Sequence, residues 1–273
     1  MPGRVCRAFF YRMIIFLDID GTLIDEKDHS MPESTKQAIA QARKNGHICM
    51  INTGRAGSMV GPEIRDLVEL DGFVMGCGTM IEYAGRIIFH KTFSVAEAEE
   101  IITGLRKYRI DAVLEGSEVC FCDAPKEMNT DEFGQFVTGW MKLGYARDTV
   151  AKAPGHFDKF YCYMGDKDLR DGFMQEFGDR LDFVDRERGY YEVTPKGFSK
   201  ASGIRTLAKL LEIPMEETAA VGDSNNDLSM LECAQYAIGM GKSSQRVKEI
   251  ADFITTDIQQ DGIRNAFRWL GVI

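Results

Sequence analysis

The chain has 273 residues, 44% hydrophobic and 27% charged, enough apolar material for one large core or two moderate ones. Its formal net charge of -9 argues against a surface that tracks a nucleic-acid backbone, which needs clustered Lys and Arg. Any phosphate ligand must then be held locally. Seven cysteines, an odd number without metal-ligand spacing, read as free thiols in a reducing cytoplasm.

Arg4, Arg7 and Arg12 precede the apolar run 13–17, but that run is short and ends at Asp18 without a small-residue cleavage site. Neither an export signal nor a membrane span is read from it. Residues 1–12 are expected to form an extension without chemistry. Residues 13–19 read as a buried strand, 21–32 as a polar loop, and 34–45 as a helix with Ile39 inward and Gly46 closing it. A strand is predicted at 47–51, a helix over 58–70 with Pro62 in its first turns, and a third strand at 72–75. After Gly76-Cys77-Gly78 the parallel winding stops: 80–83 and 86–89 flank Ala84-Gly85 as a β-hairpin would.

The following stretch mixes a helix at 96–108, a strand pair near 112–122 and helical stretches to 143. A strand follows at 159–164, then a helix near 169–177 and strands at 181–184 and 190–193. That is an α+β insert of about one hundred residues, a plausible small domain. Winding resumes with helix 200–211, strand 218–221, helix 226–233, strand 236–238, helix 244–251 and strand 253–255. The pattern predicts an α/β, doubly wound parallel-sheet core split by an inserted domain.

Ligands in doubly wound sheets bind beyond the carboxyl ends of the strands. Those ends carry Asp18 and Asp20, then Thr53-Gly54-Arg55, and later Gly222-Asp223-Ser224-Asn225-Asn226-Asp227. Singly, each cluster reads equally well as turn and cap chemistry. Together, Asp18, Asp20, Asp223 and Asp227 would crowd up to four carboxylates, which a cation resolves. Oxygen ligands without a His or Cys cluster favour magnesium, and the spacing lacks a calcium-loop pattern. One carboxylate can then attack phosphorus, and a second acid two residues on can move protons. Thr53, its neighbouring N–H groups and a lysine, Lys200, suit a phosphoryl group.

The runs Asp18-Ile19-Asp20-Gly21-Thr22-Leu23, Thr53-Gly54-Arg55, Lys196-Gly197-Phe198-Ser199-Lys200 and Gly222-Asp223-Ser224-Asn225-Asn226-Asp227, in this order, resemble the haloacid dehalogenase superfamily. Within it they resemble the Cof-type phosphatases with a large α+β (type IIB) cap. The resemblance implies a Rossmann-like catalytic core from 13–82 and 192–273 and a cap over 83–191 that sets substrate specificity. It implies that Asp18 is nucleophile and magnesium ligand, that Asp20 is acid/base and binds magnesium through its carbonyl, and that Asp223 completes the ligands. It assigns Thr53, Gly54, Lys200 and Asn226 to the phosphoryl group and Asp227 to a supporting role. Lys196 is the competing lysine, but the pattern places the amine at Lys200.

The implied activity is magnesium-dependent hydrolysis of phosphate monoesters of small metabolites, sugar phosphates or phosphorylated cofactors, by a monomer or weak homodimer without nucleic-acid or membrane partners. A phosphomutase with the same nucleophile, a phospho-accepting receiver and a non-catalytic phospho-ligand-binding protein are the rivals; a receiver's single compact domain does not accommodate the insert. Cys77-Gly78 stands where relatives often show Asn-Gly, and Met240-Gly241-Lys242-Ser243 departs from the usual loop, with Lys242 read as a surface lysine. His29, His47, His90 and His156 form no metal pair by spacing, and His29 is the one candidate for the cleft mouth. Glu115-Gly116-Ser117-Glu118 reads as a hairpin turn with a solvated charge. Cys120 and Cys122 should share one strand face, and the aromatics Phe157, Phe160, Tyr161, Tyr163, Tyr190 and Tyr191 should divide between two faces of the inserted sheet.

Overall fold

The computed structural model describes residues 12–25, 27, 28 and 30–273. The expected extension, apart from Arg12, and His29 lie outside the described residues. In chain order the first elements are β1 (Ile14–Leu17), α1 (Glu33–Lys44), β2 (Ile48–Asn52), α2 (Pro62–Arg65), β3 (Gly72–Met75), β4 (Met80–Tyr83) and β5 (Arg86–His90). Then come α3 (Val95–Lys107), β6 (Asp111–Glu115), β7 (Cys120–Phe121), α4 (Asp131–Lys142), β8 (Ala146–Asp148), β9 (Lys159–Tyr163), α5 (Lys167–Phe177), β10 (Leu181–Asp185) and β11 (Tyr190–Pro195). The last are α6 (Lys200–Leu210), β12 (Thr218–Gly222), α7 (Leu228–Cys233), β13 (Tyr236–Gly239), α8 (Gln245–Ile250), β14 (Phe253–Ile254) and α9 (Gly262–Leu270). By contact the chain divides into two compact units, one from Met1–Met50, Val68–Asp71 and Arg205–Ile273, the other from Ile51–Leu67 and Gly72–Ile204.

In the first unit β1, β12, β13 and β14 pair in parallel, with Leu17 opposite Val221 and Gly222 opposite Gly239. Every residue of β1 and β12 is buried, which is why both read as unbroken apolar runs rather than alternating ones. Helix α1 buries Thr35, Ala38, Ile39 and Ala42, a stripe at helical spacing. It ends where Asn45 leads into Gly46 at φ +93, a left-handed position that glycine fills without a Cβ penalty. Helix α9, which the sequence reading did not include, holds Ile263, Ala266 and Phe267 inward. It lies along α1: Arg264 donates to Gln37 at 2.8 Å, and Asn45 reaches the Val272 carbonyl at 2.7 Å.

In the second unit β3, β4 and β5 form an antiparallel meander. Its expected hairpin turn is formed by Ala84 and Gly85 at φ 49 and 72, the two consecutive positive values of a tight hairpin. The helix expected over 58–70 is reduced to a single turn, Gly57–Met59, followed by α2. Gly61 and Pro62 divide the segment, and Arg65 folds back to donate to the Val60 carbonyl at 2.8 Å and to Glu82, so no continuous helical face develops.

Six strands make the second sheet, in the order β10-β11-β9-β6-β7-β8. One face buries Leu114, Phe160, Cys162, Tyr191 and Val193 with Ile101 and Leu105 of α3 and Phe173 and Phe177 of α5. The other sets Val113, Cys120, Cys122, Tyr161, Tyr163 and Tyr190 with Phe133, Phe136 and Trp140 of α4. The predicted division of the aromatics and the shared face of Cys120 and Cys122 are thus both present. The short strand β8 was not anticipated; three residues are too few for a period to declare itself. Among the described residues no helix is long and apolar enough to cross a membrane.

Candidate active site

In the first unit the parallel strands deliver carboxylates to one sheet edge. Asp18 follows β1, and its N–H donates to the Val221 carbonyl at 3.1 Å. Asp223 follows β12, and Asp227 closes the short turn Asn225–Asp227. One carboxylate oxygen from each of Asp18, Asp223 and Asp227 lies within 4.8 Å of the others, although Asp18 stands more than 200 positions before the other two. Asp18 is 5% exposed and Asp227 fully buried. Asp227 Oδ2 accepts the N–H groups of Asp223 (2.9 Å) and Ser224 (3.1 Å), and Thr22 Oγ1 donates to Asp223 Oδ1 at 3.2 Å. A Cβ on Gly21, at φ +79, would sit 2.4 Å from Asp223 Oδ2, so only glycine lets the loop pass so close to that carboxylate.

Three converging, largely buried oxygen donors without nitrogen or sulfur fit a small hard cation, and the cluster is suited to hold a metal ion. Asp20 is not one of the three: it is half-buried and bridges to Ile24. Asn226 sits in the same turn as Asp227, its Oδ1 accepting the Ser224 hydroxyl. Lys242 is 83% exposed and pairs with Asp257 at 2.8 Å, a surface lysine as read.

The second unit carries Thr53, Gly54 and Lys200. Thr53, buried at the end of β2, takes its place through its N–H to the Val74 carbonyl (2.9 Å) and its carbonyl to the Cys77 N–H (3.1 Å). Its Oγ1 accepts the Arg55 N–H at 3.1 Å, which leaves the hydroxyl proton to donate elsewhere. Lys200, 2% exposed, opens α6, and its carbonyl accepts Asn52 Nδ2 at 3.0 Å. Asn52, absent from the sequence reading, therefore ties the start of α6 to the end of β2. Lys196 is 55% exposed and bound to Asp182 at 2.8 Å.

One expectation is overturned in this unit. Glu118 is exposed as foreseen, but Glu115 is buried, its Oε2 2.7 Å from the equally buried Lys159 Nζ, which also pairs with Glu192 Oε1 at 3.0 Å. The hairpin is real; its first charge is internal because Glu115 stands opposite Lys159 in the register of β6 with β9. Burial raises the Glu115 carboxyl despite Lys159. Burial pushes Glu192 the same way, but Lys159 and Arg186 outweigh it and hold its carboxyl below the usual range. Burial would lower Lys159, yet the two glutamates keep it firmly protonated. Cys77, at φ 57 and ψ 40, occupies the left-handed region in which Asn is enriched among non-glycine residues. It donates its thiol to Glu192 Oε1 at 3.2 Å.

Comparison with known proteins gives the family. The family model described as haloacid dehalogenase-like hydrolase matches residues 15–267. The chain belongs to that family, in its Cof-type branch, and is a hydrolase. It is 27% identical to the putative phosphatase YkrA of Bacillus subtilis, over 95% of this chain and 98% of that protein. It is 26% identical to the 5-amino-6-(5-phospho-D-ribitylamino)uracil phosphatase YcsE of the same organism, over 93% and 94%. Among solved structures, the phosphatase BT1666 of Bacteroides thetaiotaomicron superimposes with a TM-score of 0.85 at 25% identity, with both chains fully covered.

Proposed function

We propose that the protein is a magnesium-dependent phosphatase that hydrolyses phosphate monoesters of small metabolites through an aspartyl-phosphate on Asp18. The observation that carries this reading is the gathering of Asp18, Asp223 and Asp227 at the strand ends of a hydrolase. Relatives named as phosphatases over nearly their whole length support the ester class.

In this reading an Asp18 carboxylate oxygen bonds to phosphorus as the ester P–O bond breaks, and Asp20 gives its proton to the departing oxygen. Asp20 then takes a proton from water, whose oxygen displaces the Asp18 carboxylate and releases inorganic phosphate. The Thr53 hydroxyl, the Gly54 N–H, Asn226 and the Lys200 ammonium hold the phosphoryl oxygens, and Asp227 braces Asp223 through the backbone N–H it accepts. Magnesium, held by Asp18, the Asp20 carbonyl and Asp223, supplies charge neutralisation at phosphorus when bound. Residues 13–82 and 192–273 act as the catalytic core and 83–191 as the specificity cap. The self-contained core of the six-stranded sheet supports an inserted domain. The six described cysteines form no disulfide among themselves, which supports a cytoplasmic setting.

The test is phosphate release by purified protein from a panel of phosphorylated metabolites that includes the compound named for YcsE, with magnesium or with chelator. Activity should vanish without the metal and fall roughly 1000-fold or more in Asp18→Asn with the melting temperature preserved. Unchanged hydrolysis in that variant would remove Asp18 as the nucleophile.

A further inference from the structure

Glu192 has no part in the hydrolytic scheme above, and packing alone does not explain it, since apolar residues fill a buried position at lower cost than an ion pair. Its Oε1 lies 3.0 Å from Lys159 Nζ and accepts the Cys77 thiol at 3.2 Å, while its Oε2 lies 3.8 Å from the Arg186 guanidinium. A Cβ built on Gly54 would meet Glu192 Oε1 at 2.9 Å and Cys77 Sγ at 3.5 Å. The carboxylate is therefore seated against the Gly54 backbone. The same loop is cross-braced to the following turn, with Cys77 N–H on the Thr53 carbonyl at 3.1 Å and Gly76 N–H on the Arg55 carbonyl at 2.8 Å. Lys159 is gripped from its other side by Glu115 at 2.7 Å. A strand of the six-stranded sheet, β11, thus reaches the loop after β2 through one fixed carboxylate.

We propose that Glu192, held by Lys159, is a positioning residue for the Thr53-Gly54-Arg55 loop: it fixes the Gly54 peptide and the Cys77 turn so that the loop is preset to receive a phosphoryl group. The inference rests on the reading of Thr53 and Gly54 as phosphoryl contacts. Glu192 is not itself a phosphate ligand, because an ionised carboxylate repels a phosphoryl oxygen; Lys159 and Arg186 offset its charge and leave its position as its contribution. Donors aimed before the ligand arrives need no reorganisation when it binds.

The experiment uses the full chain with magnesium and reads inorganic phosphate affinity by calorimetry, the melting temperature of the same samples, and KM and kcat for p-nitrophenyl phosphate and glucose 6-phosphate. Glu192→Gln should weaken phosphate binding and raise KM on the order of 10-fold, by the same factor for both esters, because the loop and not the leaving group is affected. Cys77→Ala should show a smaller loss of the same kind, and Cys77→Ser, which keeps a donor, should restore wild-type affinity. Wild-type affinity in Glu192→Gln, alongside loss of binding in Thr53→Val, would overturn the positioning role while leaving the phosphate site standing. KM effects that differ between the two esters would overturn it in favour of direct contact with the leaving group. If Glu192→Gln does not fold, Cys77→Ala decides, and unchanged affinity there overturns the proposal. No phosphate binding by the wild-type chain would overturn the phosphate-site reading and the positioning role with it.

Discussion

Lys159→Met would remove one ammonium and strand two carboxylates. The side chains of Lys159 and Glu115 are each 2% exposed and that of Glu192 10%, with Nζ 2.7 and 3.0 Å from the two acids. Methionine nearly matches the stem in length and fills its space, so the loss is chiefly electrostatic. Removing one partner of a buried pair costs about 3–5 kcal/mol. Here two acids lose the same partner, and among the described residues the cation still paired with either is Arg186, 3.8 Å from Glu192, which places the expectation in the upper half of that range. At roughly 2 °C per kcal/mol for a chain of this size, the melting temperature should fall by about 8–10 °C at pH 7.

The loss should also depend on pH. Burial already raises the Glu115 carboxyl, and without Lys159 it would rise further. A carboxyl with a raised folded value binds a proton the unfolded chain has released, so the variant loses stability as pH climbs from the unfolded value through the folded one. Glu192 in the wild type runs the other way: its lowered value gives stability above the unfolded carboxyl range that is lost as pH falls through the folded value. Acidification from pH 7 to 5 should therefore narrow the gap between the two proteins in differential scanning calorimetry. A variant within about 2 °C of wild type at pH 7, or a gap that ignores pH, would refute the claim that this cluster is ionised and buried.

Gly21→Ala places a Cβ 2.4 Å from Asp223 Oδ2 at φ +79; it should cost about 1–3 kcal/mol and shrink the rise in melting temperature that magnesium produces, and a full magnesium response would count against the cradle. His90 Nε2 lies 2.9 Å from the buried Asp158, and that hydrogen bond raises its pKa against the opposing effect of burial. Its stabilisation is complete below the unfolded imidazole value of about 6.5 and is lost as pH rises through the folded value, so His90→Gln should hurt more at pH 6 than at pH 9 in urea unfolding; equal losses would dismiss the pair. Phe173, fully buried among the rings of Tyr108, Phe160, Phe177 and Phe183 at 4.6–6.5 Å, should cost about 3–5 kcal/mol on change to Ala, and a loss under about 1 kcal/mol would mean that the cavity collapses or the ring is not core.

Most elements could be read from local pattern because their causes are local. The apolar runs of β1 and β12, the stripe of Ala38, Ile39 and Ala42, and the Ala84-Gly85 turn each carry their signal within a few residues. The helix expected over 58–70 fails for a reason also present in the sequence: Pro62 fits the first turns of a helix, yet with Gly61 before it the segment is divided. Helix α9 carries a local signal as well, in Ile263, Ala266 and Phe267 at helical spacing. Asn52 was not legible as a support for Lys200, since a polar residue at a strand end has many uses and its partner lies 148 positions away.

By itself the sequence determined that carboxylates, a threonine and a lysine stand at strand ends and helix starts, because those positions follow from short-range periodicity. It also determined that the aromatics of the inserted sheet divide between two faces, since alternation is a property of any strand. Only the tertiary structure decided which charges are internal. Glu115 and Glu118 look alike in a turn, and the register of β6 against β9 alone sets one of them on Lys159 and leaves the other in water. The gathering of Asp18 with Asp223 and Asp227 is of the same kind: it depends on β1 pairing with β12 across two hundred residues, and nothing local encodes a distance of that sort.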